Sequence, residues 1–183
     1  HVRSIAGGNV DNAEITAVCD LNPERLKWAR EELGEKIRLY EDPIALYSSG
    51  DCDAVIIATP HYDHPPQAIK GFEHNLHVMI EKPAGVYTKQ VREMNETAAK
   101  SSKVFGIMYN QRTTPVYSKL KDMISSGELG EIRRTNWIVT TWYRPQSYFD
   151  SGGWRATWKG EGGGVLLNQC PHQLDMWQWI CGM

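Results

Sequence analysis

Leu76-His-Val-Met-Ile-Glu-Lys-Pro-Ala84 is the stretch on which the reading of this chain turns. Leu76, Val78 and Ile80 recur at every second position, the period of a strand, and the run stops at Glu81-Lys82-Pro83. A cation therefore stands where a buried strand leaves its sheet, and in open α/β sheets that edge is the ligand edge. Pro83 holds the residue before it out of the helical region, so Lys82 is presented in an extended conformation. The plain alternative is a surface lysine at a strand end, the usual condition of lysine.

Outward from this stretch, strand and helix patterns alternate. Upstream, Glu14–Asp20 is a β-branched run, and Asn22-Pro23 caps a helix that runs to Gly34. Lys36–Tyr40 alternates as a short strand, and Asp42-Pro43 opens another short helix. Asp53–Thr59 is a nearly continuous apolar strand of the kind that expects cover on both faces. A helix is expected over His64–His74, another from a Thr88 cap to about Ser102, and a last strand over Lys103–Tyr109. This alternation selects the α/β class with a doubly wound parallel sheet over residues 1–112.

After Arg112 the pattern changes. Pro115–Ser126 reads as an amphipathic helix ending at Gly127, Ile132–Tyr143 as a long alternating strand, and Arg144–Gly160 as a polar and aromatic loop. Gly162-Gly163-Gly164 then leads into one final helix ending near Cys181. Residues 113–183 are expected to open an α+β substrate domain without completing its sheet. His1-Val2-Arg3 begins without a cap or turn, so the chain is expected to start inside an element, with the first strand and its glycine-rich turn absent.

Composition narrows the function classes. Of 183 residues, 41% are hydrophobic and 23% charged, as in ordinary globular domains, and a net charge of −2 argues against a nucleic-acid partner. The longest apolar run, Ala54–Ala58, is too short for a bilayer, which makes the cytoplasm the default compartment. Cys19, Cys52, Cys170 and Cys181 form no Cys-x-x-Cys pair and suit reduced thiols. His61/His64 and His74/His77 share a metal-like spacing but have no accompanying ligands, so no metal is expected.

Chemistry is expected at strand ends and on the last helix. Asp20 ends a strand where a nucleotide-binding sheet places a carboxylate for the ribose hydroxyls, and it would repel a 2′-phosphate, which favours NAD over NADP. The competing reading is an acid that only caps the helix at Asn22. Thr59-Pro60 closes the central strand on the same edge as Lys82 and could line a nicotinamide pocket, or simply start a turn. Asn168 and His172, four apart, would share one face of a continuous helix, with Pro171 marking a start or a kink. The preceding glycines would let a backbone approach a ligand. Tyr143, Arg144, Trp154 and Arg155, with Trp142 and Trp158, suit sugar rings and anionic groups, or plain packing.

Asp20, Ala58-Thr59-Pro60, Glu81-Lys82-Pro83, Asn110-x-Arg112 and Gly162-Gly-Gly-Val-Leu-Leu-Asn-Gln-Cys-Pro-His172-Gln-Leu-Asp175 occur in this order, and so the sequence resembles the Gfo/Idh/MocA oxidoreductases along its whole length. The resemblance implies a Rossmann-type domain followed by a mostly antiparallel one, with NAD, or NADP as the alternative. It implies hydride transfer to or from a hydroxyl-bearing carbon of a sugar, sugar derivative or cyclitol. Lys82 would be the catalytic lysine and His172 the acid/base histidine, with Asn168 where many members carry aspartate. Glu81, Thr59, Pro60 and Asp20 would border the cofactor; Arg112, Tyr143, Trp154, Arg155 and His172 would border the substrate. A cis Lys82–Pro83 bond and a homo-oligomer are also expected. The rival readings are an NAD-dependent glycosidase of the same family, a non-catalytic dinucleotide-binding regulator, and a piece inactive in isolation.

Overall fold

The computed structural model describes residues 1–140, 143–150 and 153–182. In chain order it forms α1 (Val2–Ala6), β1 (Ala17–Cys19), α2 (Pro23–Leu33), β2 (Arg38–Tyr40), α3 (Pro43–Ser48), β3 (Ala54–Ile57), α4 (His64–Glu73) and β4 (His77–Ile80). There follow α5 (Thr88–Lys100), β5 (Phe105–Ile107), α6 (Pro115–Ser125), α7 (Gln146–Asp150), α8 (Trp158–Glu161), α9 (Val165–Asn168) and α10 (Pro171–Cys181). Packing divides the chain into two units. The first is His1–Ile57, Pro66–Met79 and Met94–Phe105; the second is Ala58–Pro65, Ile80–Glu93 and Gly106–Met183.

In the first unit the helix starts follow the sequence signals. The Asn22 side chain accepts from Glu24 N with Pro23 in the first turn, and Asp42 accepts from Ile44 N and Ala45 N ahead of α3. Gly34 ends α2 at φ 85°, a region that favours glycine. β1 and β2 pair in parallel, Ala17 opposite Arg38 and Cys19 opposite Tyr40. Leu26, Ala29, Leu46, Tyr47, Val55 and Phe72 fill the core, and Phe72 meets Phe105 edge-on at 5.6 Å between centroids. Burial, then Asp42 and Asp20, pushes the Cys19 thiol up to about 11, so it stays protonated at neutral pH.

β3, β4 and β5 form a three-stranded sheet in that order. Its bonds advance in step, Val78 N to Val104 O and then Met108 N to Ile80 O, the register of parallel strands. The expected α/β fold with parallel strands is present, its strands paired as two sheets because neither β1 nor β2 pairs with β3. In the doubly wound order the third and second strands are separated from the fourth by the first, and no described strand takes that position.

Three expectations are corrected. β3 alternates, with Val55 and Ile57 buried but Ile56 40% exposed, so only one of its faces is covered. Residues 132–140 of the expected long strand form no ladder, and Ile138 is 82% exposed: a strand needs a hydrogen-bonded neighbour, and no described segment supplies one. Thr141 and Trp142 of that stretch lie outside the described residues. The final helix is two helices, α9 and α10, because Pro171 cannot donate and instead begins a new first turn. The expected loop over Arg144–Gly160 also contains α7 and the start of α8.

In the second unit α10 buries Met176 and Ile180 and lies against α6, where Lys121 Nζ donates to Trp179 O at 2.6 Å. Trp177 Nε1 donates to Thr135 Oγ1 at 2.6 Å.

Candidate active site

The lysine at the end of β4 belongs to the second unit, and the peptide bond to Pro83 is cis, as the family resemblance implies. Buried His64 fixes the surrounding chain: Nδ1 lies 2.7 Å from Pro83 O and Nε2 2.8 Å from Thr59 O. One ring thus ties the segment after β3 to the segment after β4. Glu81 stands beside the lysine, its Oε2 accepting from Lys82 N at 3.1 Å.

Lys82 Nζ is part-buried and donates to the main-chain oxygen of Asn168 at 2.8 Å. Burial lowers its pKa; Glu81 opposes the shift, while the guanidinium groups of Arg155 and Arg144 reinforce it. The ammonium is held by an uncharged partner, so its proton is less tightly kept than that of a surface lysine.

Asn168 ends α9 and His172 sits in the first turn of α10, so the break at Pro171 replaces the continuous helical face expected for them. The Asn168 amide donates to buried Glu161, whose Oε1 is also 4.0 Å from Arg155 Nη1. An aspartate at 168 would face that carboxylate with like charge, which is the physical reason asparagine suits this chain.

Burial lowers the pKa of His172, and the Lys82 charge lowers it further, against the pull of Glu81 and Asp175. Tyr109 meets its ring edge-on at 6.1 Å. Nδ1 is out of contact with water and has no hydrogen-bond partner among the described residues. A buried nitrogen left bare costs about 1–3 kcal/mol, which marks a place where a ligand group could complete the site.

The remaining predicted residues are placed unevenly. Arg112 is committed to Asp175, with Nε 2.8 Å from Oδ2 and Nη2 2.5 Å from Oδ1, a fork that braces α10 rather than facing outward. Tyr143 is 80% exposed. Trp154 packs edge-on against His61 at 5.4 Å, and Arg155 lies over its ring. Asp20 belongs to the first unit, where Oδ1 accepts from Asn22 N at 2.8 Å; this is the only bond its carboxylate makes among the described residues. It therefore braces the turn through Oδ1.

Sequence reasoning missed His61, His64 and Glu161. His61 and His64 were weighed only as metal ligands, yet their ring nitrogens meet main-chain oxygens, His61 Nδ1 that of Glu161 at 2.9 Å. The acid directly ahead of three glycines was the available signal for Glu161. The glycines themselves serve packing: a Cβ at Gly162 would meet Val86, and one at Gly163 would meet Leu167. A pocket of about 310 Å³ opens between Phe149, Trp158, Glu161, Gly163 and Asn168.

An α/β architecture here carries a part-buried lysine at a strand end and a part-buried histidine electrostatically coupled to it. Residues 4–109 match the GFO/IDH/MocA family described as "Oxidoreductase family, NAD-binding Rossmann fold", and residues 117–183 match the GFO/IDH/MocA C-terminal domain. The chain belongs to the Gfo/Idh/MocA oxidoreductase family.

Among curated relatives it is 30% identical to D-glucoside 3-dehydrogenase of Escherichia coli K12, over 94% of this chain and 48% of the relative. It is 30% identical to the rhizopine catabolism protein MocA of Rhizobium meliloti, over 100% of this chain and 53% of the relative. A similar solved structure is the WlbA dehydrogenase of Bordetella pertussis in complex with NADH and UDP-GlcNAcA, with TM-score 0.86 and 30% identity, covering 100% of this chain and 51% of that one. The chain spans about half the length of the curated relatives it matches.

Proposed function

We propose that this chain carries the reaction centre of an NAD-dependent oxidoreductase acting on a hydroxyl-bearing carbon of a sugar, sugar derivative or cyclitol. The carrying observation is the Lys82 ammonium, desolvated, bonded to Asn168 O, and close enough to His172 to depress its proton affinity. A carbinol oxygen placed against both groups would meet a donor and an acceptor of fitting acidity.

In the oxidative direction His172 takes the hydroxyl proton as general base, a role its lowered pKa keeps open at neutral pH. Lys82 donates a hydrogen bond to the oxygen as negative charge develops, a contribution of a few kcal/mol in a dry site. The alternative assignment, in which Lys82 itself moves the proton, is favoured by its own lowered pKa. Within the second unit Thr59, Pro60, Glu81 and Lys82 would border the nicotinamide, and within the first Asp20 would offer an oxygen to the ribose. When bound, NAD supplies the hydride acceptor.

The organisation we infer is a dinucleotide domain over residues 1–112 followed by a substrate domain from 113. A cytoplasmic homo-oligomer is the expected setting. Among the described residues no helix is long and apolar enough to cross a membrane.

The test is NADH formation over a panel of sugars, sugar acids and cyclitols, with Lys82→Met and His172→Ala measured separately. Undiminished turnover in both variants removes the scheme. Glycoside cleavage without net NADH would place the protein with the family's glycosidases.

A further inference from the structure

Resting on the hydride-transfer reading above, we infer that Arg112 is a positioning residue for His172: its fork takes both oxygens of Asp175, holds the start of α10, and keeps that carboxylate from pairing with the imidazole. The residues concerned come from two short segments. The 3₁₀ turn Asn110–Thr113 follows Tyr109 and carries Arg112, while α10 carries His172, Asp175 and Trp179. Arg112 Nε lies 2.8 Å from Asp175 Oδ2 and Nη2 2.5 Å from Oδ1, and the Asp175 side chain is only 10% exposed. Arg112 Cζ lies 5.9 Å from the Tyr109 ring centre and 5.7 Å from that of Trp179, so two aromatic rings steer the guanidinium onto the carboxylate. Tyr109 also meets the His172 ring edge-on at 6.1 Å. One tyrosine therefore neighbours both the guanidinium and the imidazole.

Residues three apart on a helix are neighbours, so a carboxylate at 175 without a partner would be free to pair with a protonated ring at 172. An imidazolium held in that way keeps its proton, which is the wrong state for a general base at neutral pH. Arg112 removes that outcome by occupying both oxygens with a group that stays charged. The imidazole is left with Nδ1 out of contact with water and without a partner among the described residues. Besides burial, the charges acting on it are Lys82, which disfavours the imidazolium, and Glu81 and Asp175, which favour it. Burial and then Asp175 push the Tyr109 phenol up, so that neighbour stays neutral. From α6, Lys121 is engaged further along α10, where it donates to Trp179 O.

The experiment follows the His172 ring of the full chain through pH by proton NMR, with its resonance assigned by its absence in His172→Ala. It needs neither substrate nor cofactor. Arg112→Gln is expected to raise the midpoint by roughly 0.5–1 pH unit and Asp175→Asn to lower it, with the double variant between the two. A brace that only held α10 in place would move both single variants the same way, by letting water reach the ring. Arg112→Lys, which keeps the charge without the fork, is expected to stay nearer the wild type than Arg112→Gln. If Arg112→Gln does not fold, the fall expected in Asp175→Asn still decides. Single variants that shift together, an Arg112→Gln midpoint at the wild-type value, or an Asp175→Asn midpoint that does not fall would each overturn the inference. Where turnover is found, the acid limb of kcat/KM is expected to follow the ring's midpoint in each variant. A ring that moves while the limb stays would remove His172 as the base and leave its coupling to Arg112 and Asp175 standing.

Discussion

The Lys82 ammonium donates a 2.8 Å hydrogen bond to the main-chain oxygen of Asn168, 86 positions further along the chain. A main-chain oxygen neither titrates nor changes rotamer, so it fixes the lysine head group without neutralising it. The side chain of Asn168 remains available to bind Glu161, and His172 follows four positions later at the start of α10. One residue therefore sets the position of the lysine through its backbone and the charge pattern beside it through its amide.

Removing the ammonium while keeping the stem isolates its contribution. Lys82→Met should lower turnover about 100- to 1000-fold, the usual cost of losing one preorganised donor to a developing oxyanion. NAD binding, followed by fluorescence titration, should persist. Steady-state assays on a substrate found in the panel make the comparison, and turnover at the wild-type rate would remove Lys82 from the mechanism.

The same variant carries a prediction about His172. Burial is the first cause of its lowered pKa and the Lys82 charge the second. With that charge gone the imidazolium is less disfavoured, so the pKa rises. A folded-state value below the unfolded one favours folding above the unfolded pKa, and that contribution fades as pH falls through the folded value. Wild type should thus lose more stability to acid through His172 than Lys82→Met does. Proton NMR titration of the His172 ring in the two proteins gives the shift directly; equal midpoints would show that the two groups are not coupled.

Local signals in the sequence located the helices and the strand ends well. Asn22-Pro23, Asp42-Pro43 and Gly34 act at short range, and each stands where its cap or stop was expected. The two residues proposed as the reacting pair were also legible, because Lys82 follows a strand and His172 follows the glycine-rich turn. What the sequence concealed was non-local. Residues 132–140 carry a strand pattern, yet a ladder depends on a neighbour that pattern alone does not specify. Arg112 looked like a substrate fork until Asp175, 63 positions away, was seen to occupy it. His61 and His64 resembled ligands because their true partners are main-chain oxygens, which leave no trace in side-chain spacing.

Asparagine at 168 has a measurable consequence for stability. Asn168→Ala removes the amide donor from buried Glu161 and should cost about 1–3 kcal/mol in denaturant unfolding at neutral pH. Asn168→Asp sets two carboxylates together, so the folded state holds a proton that the unfolded chain releases. A folded pKa raised in this way gives stability present below the unfolded pKa and lost as pH rises through the folded one. Asn168→Asp should therefore regain much of its deficit on mild acidification, whereas Asn168→Ala should not. Parallel losses for the two variants at every pH would show that Glu161 does not depend on the amide.

Gly162 tests how tightly the turn ahead of α9 is built. Its φ is 77°, and a Cβ added there would run into the methyl groups of Val86. Gly162→Ala should cost about 1–2 kcal/mol for the left-handed backbone, with a further steric cost of roughly 1–3 kcal/mol if Val86 cannot yield. The two contributions separate in a double-mutant cycle, because Val86→Ala removes the obstructing methyls and leaves the backbone unchanged. The double variant should recover the steric part and keep the backbone part, so that the coupling between 162 and 86 is favourable in unfolding measurements. Strict additivity would mean that Val86 moves aside without resistance and that backbone conformation alone demands glycine at this turn.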